Sequence, residues 1–531
     1  MISAYPYIVT TQTLLEVRPT MNETINESTD DSEQCISTIF DKYHFKYYLF
    51  VMGLFAIIIG TYYLLSGIVF PIGGGIQQNP PDGIHPTPLN PPPGTSSPGQ
   101  QEPGLSHNLW PLWGQLTIPS PLEIVVFLGV VGSFLAIMYY FHNSERRIPP
   151  LPVITLFGFM LIVSTNFIHG WLTGIYSSIG GMGEILTDAM LIENPIYFIR
   201  NYVSNQGSLT THAQTQPPFA VLTIYLFCIF FQDPGVIAIT LAAVTSIFSS
   251  LFLYGVYRRY FDTKTSEYAV LLFLVLPAVQ IYYLANIYAF VALWATALLY
   301  FYLHEKIIIR IIGSTLAFFF GSFTSFLFVY MALFLFLFEI IRYWKSREDA
   351  DIIRHFVSFS KNISCLIVIG ILVGIIYLTL WIYLDFNYLD SFLHATNAEN
   401  PNGFMLFDNP LNYFVTRIQN VMDILVFYGP ILTALSLFGY QLLKQNQDNE
   451  LSAELLSLLL ASVFAILLLF MTGAPKKGET ARICMFILPV VLMPVIYYLK
   501  EKKICRRDWI ILLMLVFVQA AIMQLIGIWV W

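Results

Sequence analysis

"THAQTQPPFAVL", residues 211–222, interrupts an almost uniformly apolar stretch of chain. It places one imidazole, two glutamines and a Pro-Pro pair at the edge of a hydrophobic run, then returns directly to apolar sequence. Whether the run that follows crosses a bilayer decides the topology of everything downstream. A spanning helix needs about 20 mostly apolar residues, and the run 217–232 is short, begins with Pro-Pro and ends in "QDPG".

The rest of the chain sets the frame. Its 531 residues are 56% hydrophobic and 16% aromatic but only 11% charged, against about 25% charged in soluble globular proteins. Mean hydropathy is +0.66. This is the composition of a polytopic membrane protein, with no room for a sizeable soluble domain beside the membrane domain. No basic tract suggests nucleic-acid binding. The five cysteines are scattered, with no CxxC or Cys/His cluster, which argues against a structural metal or a disulfide framework. Residues 1–44 are polar and acidic and do not read as a signal peptide.

The expected fold is all-α: a transmembrane bundle of about 13 spans. The runs lie at 48–71, 122–142, 151–172, 235–257, 267–282, 284–303, 307–320, 323–342, 363–384, 423–443, 454–472, 481–499 and 509–531. The organisation reads as a polar cytoplasmic segment (1–47), an anchor helix (48–71), a linker (72–121) and a transmembrane domain (122–531). The linker is rich in Pro and Gly, lacks Lys and Arg, and reads as extended chain.

Lys and Arg mark cytoplasmic loops. "KEKKICRR" (500–507), "RYWKSRED" (342–349) and the Arg pairs at 146–147 and 258–259 give one consistent orientation. The linker and the loops 173–216, 385–420 and 472–480 then fall on the extracytoplasmic side. Parity allows an odd number of spans between loop 173–216 and Arg258, whereas hydropathy offers two. The run 217–232 is therefore expected to be partly inserted or re-entrant. Non-helical backbone at that depth needs protein or a wet cavity around it, so the 211–222 patch should line a cavity.

Three outer loops hold the chemistry. In 183–202 two short interfacial helices are expected. Ile185, Leu186, Ala189 and Ile192 share one face of the first, and Glu184, Thr187 and Asp188 the other. Asn194-Pro195 restarts the second, with Asn as N-cap and Pro at the first position. The bland reading is an amphipathic helix with a solvated polar face. In loop 385–420, Asp385, Asp390, His394, Glu399, Asp408 and Arg417 read as solvated residues. In "TGAPKKGETARICMFILP" (472–489), Lys476, Lys477, Glu479 and Arg482 sit at the lip of a helix. An outer-side Arg defies the positive-inside bias and calls for a partner: an anion, or Glu479 three residues before it. A carboxylate, an imidazole and a cationic lip together suit transfer of a group from a lipid-phosphate donor. Guanidinium pairs bidentately with phosphate, and a carboxylate can serve as general base.

The sequence resembles the GT-C superfamily of polytopic glycosyltransferases, in the prokaryotic branch related to protein O-mannosyltransferases and the lipid A aminoarabinose transferase. "TDAMLIENPIYFIRNY" is similar to the family's first outer loop. "LTTHAQTQPPFAVL" is similar to its His-Pro-Pro element, and "GETARICMFILP" to a late G-E-x-x-R element. The three occur in order over roughly 150–500. The resemblance implies a polyprenyl-phosphate sugar donor, an extracytoplasmic acceptor and an outward-facing site in a cell membrane. It makes Asp188 the candidate general base, with Glu184 in reserve. His212 would orient Asp188 or bond the donor, Pro217 and Pro218 are the structural Pro-Pro, and Glu479 and Arg482 form the late element. Arg482, assisted by Lys476 or Lys477, would bind the donor phosphate. Two positions depart from the pattern: Gln216 stands where a His is usual, and "PAVQIYYLANIYAF" (277–290) offers Asn286 where an acid is common. Both departures remove possible metal ligands and weigh against a divalent-metal requirement.

The activity so implied is inverting sugar transfer. Rival readings are a transporter or flippase of a lipid-linked or anionic substrate, another lipid-linked glycan enzyme, and a non-catalytic membrane protein. Transporters often show internal repeats and mid-span charges; this sequence has no convincing repeat, and its charges gather at membrane faces.

Overall fold

A backbone in a bilayer has no water to satisfy its N–H and C=O groups, so long apolar runs close their hydrogen bonds internally as helices. The computed structural model describes residues 39–40, 42–69, 115–143, 149–180, 185–346, 352–401, 403–475 and 478–529. It is all-α apart from one two-residue strand pair, Gln115–Leu116 with Gly527–Ile528. Nearly all of the polar N-terminal segment and of the Pro-rich linker lies outside the described residues.

Among the described residues, nine helices are long and apolar enough to cross a membrane. The number is ten if Pro410–Tyr428 and Pro430–Gln445, bent by 96° at their junction, count as one span. The chain is a multi-pass membrane protein. Pro121–Asn143 and Ile353–Leu384 bury little against the rest. Large apolar side chains such as Leu128, Ile371 and Trp381 stand outward on them. In water such a surface would be a liability; in lipid it is the favourable one.

The remaining expected runs are present in shorter or broken form. The run 267–282 is divided into Thr263–Leu274 and Pro277–Tyr282, because Pro277 cannot donate to the carbonyl four residues back. The run 284–303 is the 16-residue helix Ile287–Tyr302, and most of 48–71 belongs to the helix Lys42–Val69. The run 307–342 breaks at 325–328, between Ile307–Thr324 and Val329–Ser346. The run expected at 423–443 begins earlier and turns at Gly429, whose φ of +101° suits glycine alone.

The run expected to be re-entrant holds one short helix. Pro218–Cys228 has 11 residues, or about 16 Å at 1.5 Å per residue, half of a hydrocarbon core. The chain then turns at 229–233, and Asp233 caps the long helix Pro234–Arg258 by accepting from the Val236 N–H at 3.0 Å. A Cβ on Gly180 would meet Pro234 at 3.6 Å, and one on Gly235 would meet Trp171 at 2.4 Å. So the start of this long helix packs against the 171–180 segment. That segment is irregular: Trp171–Tyr176 is a π-helix, and a Cβ on Gly174 would collide with the Asn166 carbonyl at 1.9 Å.

Candidate functional site

A cavity of about 150 Å³ opens where the irregular segments meet. Ser178 and Ile179 come from the segment after the π-helix. His212 and Gln216 come from the 211–218 turn, and Ala285, Asn286 and Tyr288 from the start of Ile287–Tyr302. Glu399 comes from the end of Tyr388–Glu399, and Glu479 and Arg482 from the late loop.

Each wall has a local cause. Thr211–Gln214 is a single turn begun by Thr210, and Pro217-Pro218 then start the shallow helix without needing N–H donors. Ala285 holds a φ of +62°, which costs a non-glycine residue about 1–2 kcal/mol. Such strain concentrates where surroundings demand a particular geometry; here it turns the chain so that Asn286 can cap Ile287–Tyr302. Asn286 accepts from the Tyr288 N–H at 2.6 Å. Gly478, with φ +76°, admits Glu479 to the wall.

Arg482 and Glu479 form an ion pair of 2.9 Å in which the guanidinium side is almost fully buried. The Arg482 guanidinium also stands 5.9 Å from the centre of the Tyr288 ring, a cation–π distance. His212 is half-buried. Burial holds its pKa below the ordinary 6.5, and the nearby Arg482 lowers it further, against the opposing pull of Glu479 and Glu399. His212 is therefore neutral at pH 7, able to donate from one ring nitrogen and accept at the other.

Asp188 is placed differently from the sequence expectation. It does not line the cavity. It belongs to Ile185–Met190 and is buried with Ile185, Leu186 and Ala189 rather than facing solvent with Thr187. Its Oδ2 accepts from the Thr210 N–H at 3.1 Å and from the Thr210 hydroxyl at 2.5 Å. Burial raises its pKa, and the Thr210 bonds oppose the rise. Asp188 thus ties down the residue that starts the His212 turn. Tyr202 fixes the other end, donating to the carbonyls of Ala213 and Gln216. The second interfacial helix is as expected: Asn194 accepts from the N–H groups of Ile196 and Tyr197 at 2.9 and 3.2 Å. Glu184, Lys476 and Lys477 lie outside the described residues.

Sequence reasoning left Glu399 among solvated residues, yet it reaches the cavity. It also missed a polar stripe on Pro410–Tyr428 that holds the late loop. Tyr413 donates to the Met471 carbonyl at 2.6 Å. Arg417 donates to the carbonyls of Phe470 and Pro475. Asn420 accepts from the Thr480 hydroxyl at 2.8 Å, and Asp423 from the Ala481 N–H at 2.7 Å. Positions 413, 417, 420 and 423 recur at helical spacing along this helix, a signal that periodicity could have found. Among the described residues, no group of three or more His, Cys, Asp or Glu side chains is placed to hold a metal ion.

No family model and no curated protein matches the chain. Two solved structures do, both from Archaeoglobus fulgidus. One is an oligosaccharyltransferase crystallised with Zn and sulfate, at 14% identity and a TM-score of 0.42, covering 69% of this chain and 53% of that one. The other is the archaeal oligosaccharyltransferase AglB with an inhibitory peptide and a dolichol-phosphate, at 13% identity and a TM-score of 0.42, covering 71% and 56%. The chain therefore matches little more than half the length of either.

Proposed function

We propose that the protein is a membrane glycosyltransferase of the GT-C type, moving a sugar from a polyprenyl-phosphate donor to an extracytoplasmic acceptor by inversion. The observation that carries this reading is the gathering of Arg482, His212, Glu479 and Glu399 around one cavity in a chain of apolar helices. A buried guanidinium is the group best suited to bind the phosphate of a lipid-borne donor. Lys476 and Lys477 belong to the same loop and would add charge.

The step is a single displacement. The acceptor oxygen bonds to the anomeric carbon, the bond from that carbon to the phosphate oxygen breaks, and its electron pair leaves on the phosphate. Arg482, preorganised by Glu479, stabilises that developing charge without reorganising. Glu399 is the second carboxylate lining the cavity, and it takes the acceptor proton. Neutral His212 bonds the donor beside Arg482. Asp188 acts through Thr210, as the residue that positions His212.

The test is transfer of labelled sugar from a panel of polyprenyl-phosphate sugars by the purified protein in lipid, with native membrane extract as acceptor. Wild type should transfer, Arg482→Gln and Glu399→Gln should not, and Asp188→Asn should retain part of the activity. Complete loss in Asp188→Asn with Glu399→Gln unaffected would return the base to Asp188. No transfer from any donor by folded protein would favour a transporter.

A further inference from the structure

Two of the cavity's polar residues are neutral amides, and each keeps an atom that the protein does not satisfy. Gln216 is 8% exposed and Asn286 6% exposed. Gln216 gives its Nε2 to the Tyr288 hydroxyl at 3.2 Å, while its Oε1 has no hydrogen-bond partner among the described residues. Asn286 spends its Oδ1 on the Tyr288 N–H, while its Nδ2 has no partner there either. Both line the cavity. Buried amides in folded proteins are normally paired, because an unpaired one forfeits its hydration. Two unpaired in one cavity, both tied to Tyr288, make a prepared acceptor and a prepared donor.

We infer that Gln216 and Asn286 form a neutral subsite that reads the hydroxyl groups of a sugar ring, next to the phosphate held at Arg482. This rests on the glycosyltransferase reading and adds which residues bind the sugar. The chemistry follows from the groups. A hydroxyl both donates and accepts, so adjacent hydroxyls can satisfy Gln216 Oε1 and Asn286 Nδ2 together. Turning the Gln216 amide over would put Oε1 on the tyrosine and present Nε2 instead, and a hydroxyl would meet that as well. A metal cation suits the pair poorly, since Asn286 presents an N–H donor and Arg482 is close by. An anion is served by Arg482 already. Tyr288 joins the two subsites: it fixes both amides, and the Arg482 guanidinium lies over its ring. The two positions at which the sequence departs from its family resemblance are thus the two that this subsite uses.

The experiment is binding, not turnover. Full-length protein in detergent is titrated calorimetrically with a short-chain isoprenyl phosphate. It is then titrated with the same phosphate esterified to glucose, mannose, galactose or N-acetylglucosamine. At least one sugar should improve wild-type affinity about tenfold, the usual return on two satisfied buried hydrogen bonds. Asn286→Ser keeps an N-cap oxygen for Tyr288 and removes the amide donor; Gln216→Met keeps the volume and removes the amide. Either variant should lose the sugar's gain while binding the bare phosphate as wild type does, which also reports that it is folded. No gain from any sugar in wild type, or a gain that survives both substitutions, would overturn the subsite and leave the phosphate site standing. Failure of wild type to bind even the bare phosphate would instead remove the glycosyltransferase reading on which it rests.

Discussion

The helix Ile287–Tyr302 carries a tyrosine near each end, about 21 Å apart by helix rise, and the two ends are built on opposite principles. At the Tyr302 end the polar groups close on one another. The Tyr302 hydroxyl donates to Glu339 Oε1 at 2.8 Å, Asn362 donates to Glu339 Oε2 at 2.9 Å, and Arg310 donates to Asn362 at 3.1 Å. Both oxygens of this buried carboxylate are used. At the Tyr288 end, two amides and an arginine surround a cavity, and two amide atoms lack a protein partner. A closed network specifies structure; an open one of the same residue types is what a ligand completes. The secondary structure follows the same division. Around Tyr302 the helices are regular, whereas around Tyr288 lie the π-helix, the positive φ of Ala285 and the shallow Pro218–Cys228 helix.

The largest effect tests the closed end. Glu339→Leu would leave the Tyr302 hydroxyl and the Asn362 amide unsatisfied, and would remove a carboxylate that acts on Arg342. Breaking such a network costs about 3 kcal/mol or more, seen as a lower unfolding midpoint in micelles, with transfer per folded molecule little changed. An intact midpoint would show that the two ends do not differ as described. Next is Arg482→Gln at the open end. It should reduce transfer about 100-fold to 1000-fold, as loss of a preorganised charge partner does. Glu399→Gln should cost about 100-fold in turnover, the scale of a missing general base. Because Glu399 is only half-buried, the midpoint should stay where it is.

The spans were legible in the sequence because hydropathy is a local signal, whereas the closed network was not, its members lying 23 and 37 residues from Glu339. The caps are local signals too, as Asn194-Pro195 illustrates. The short helix Pro218–Cys228 was legible as a run too short to span, opened by Pro-Pro. Asp188 was misplaced because its partner, Thr210, lies 22 residues on; helical spacing could only pair it with Thr187 and Glu184. Glu399 was overlooked because nothing local distinguishes a loop carboxylate that reaches a cavity from one that reaches water. The bend at Gly429 was also hidden. A glycine followed by proline permits a break, but the 96° between the two helices is set by what they pack against.

His212 gives the smallest effect and the most specific one. Its folded pKa is depressed, first by burial and then by Arg482, so the folded state binds the proton less tightly than the unfolded chain. Stability must then fall as pH drops below the ordinary value of 6.5, and this loss levels off below the depressed folded value. Above 6.5 the contribution is complete and flat. His212→Gln keeps a donor and an acceptor but cannot titrate. It should remove that acidic slope from the unfolding midpoint and cost about tenfold in transfer at pH 7. Wild-type transfer should also decline on acidification, because protonated His212 would repel Arg482 and lose its acceptor nitrogen, and the variant should lack that decline. An acid limb that persists in His212→Gln would show that His212 is not the titrating group, and the imidazole at the head of the Pro-Pro element would then be only a structural part of its turn.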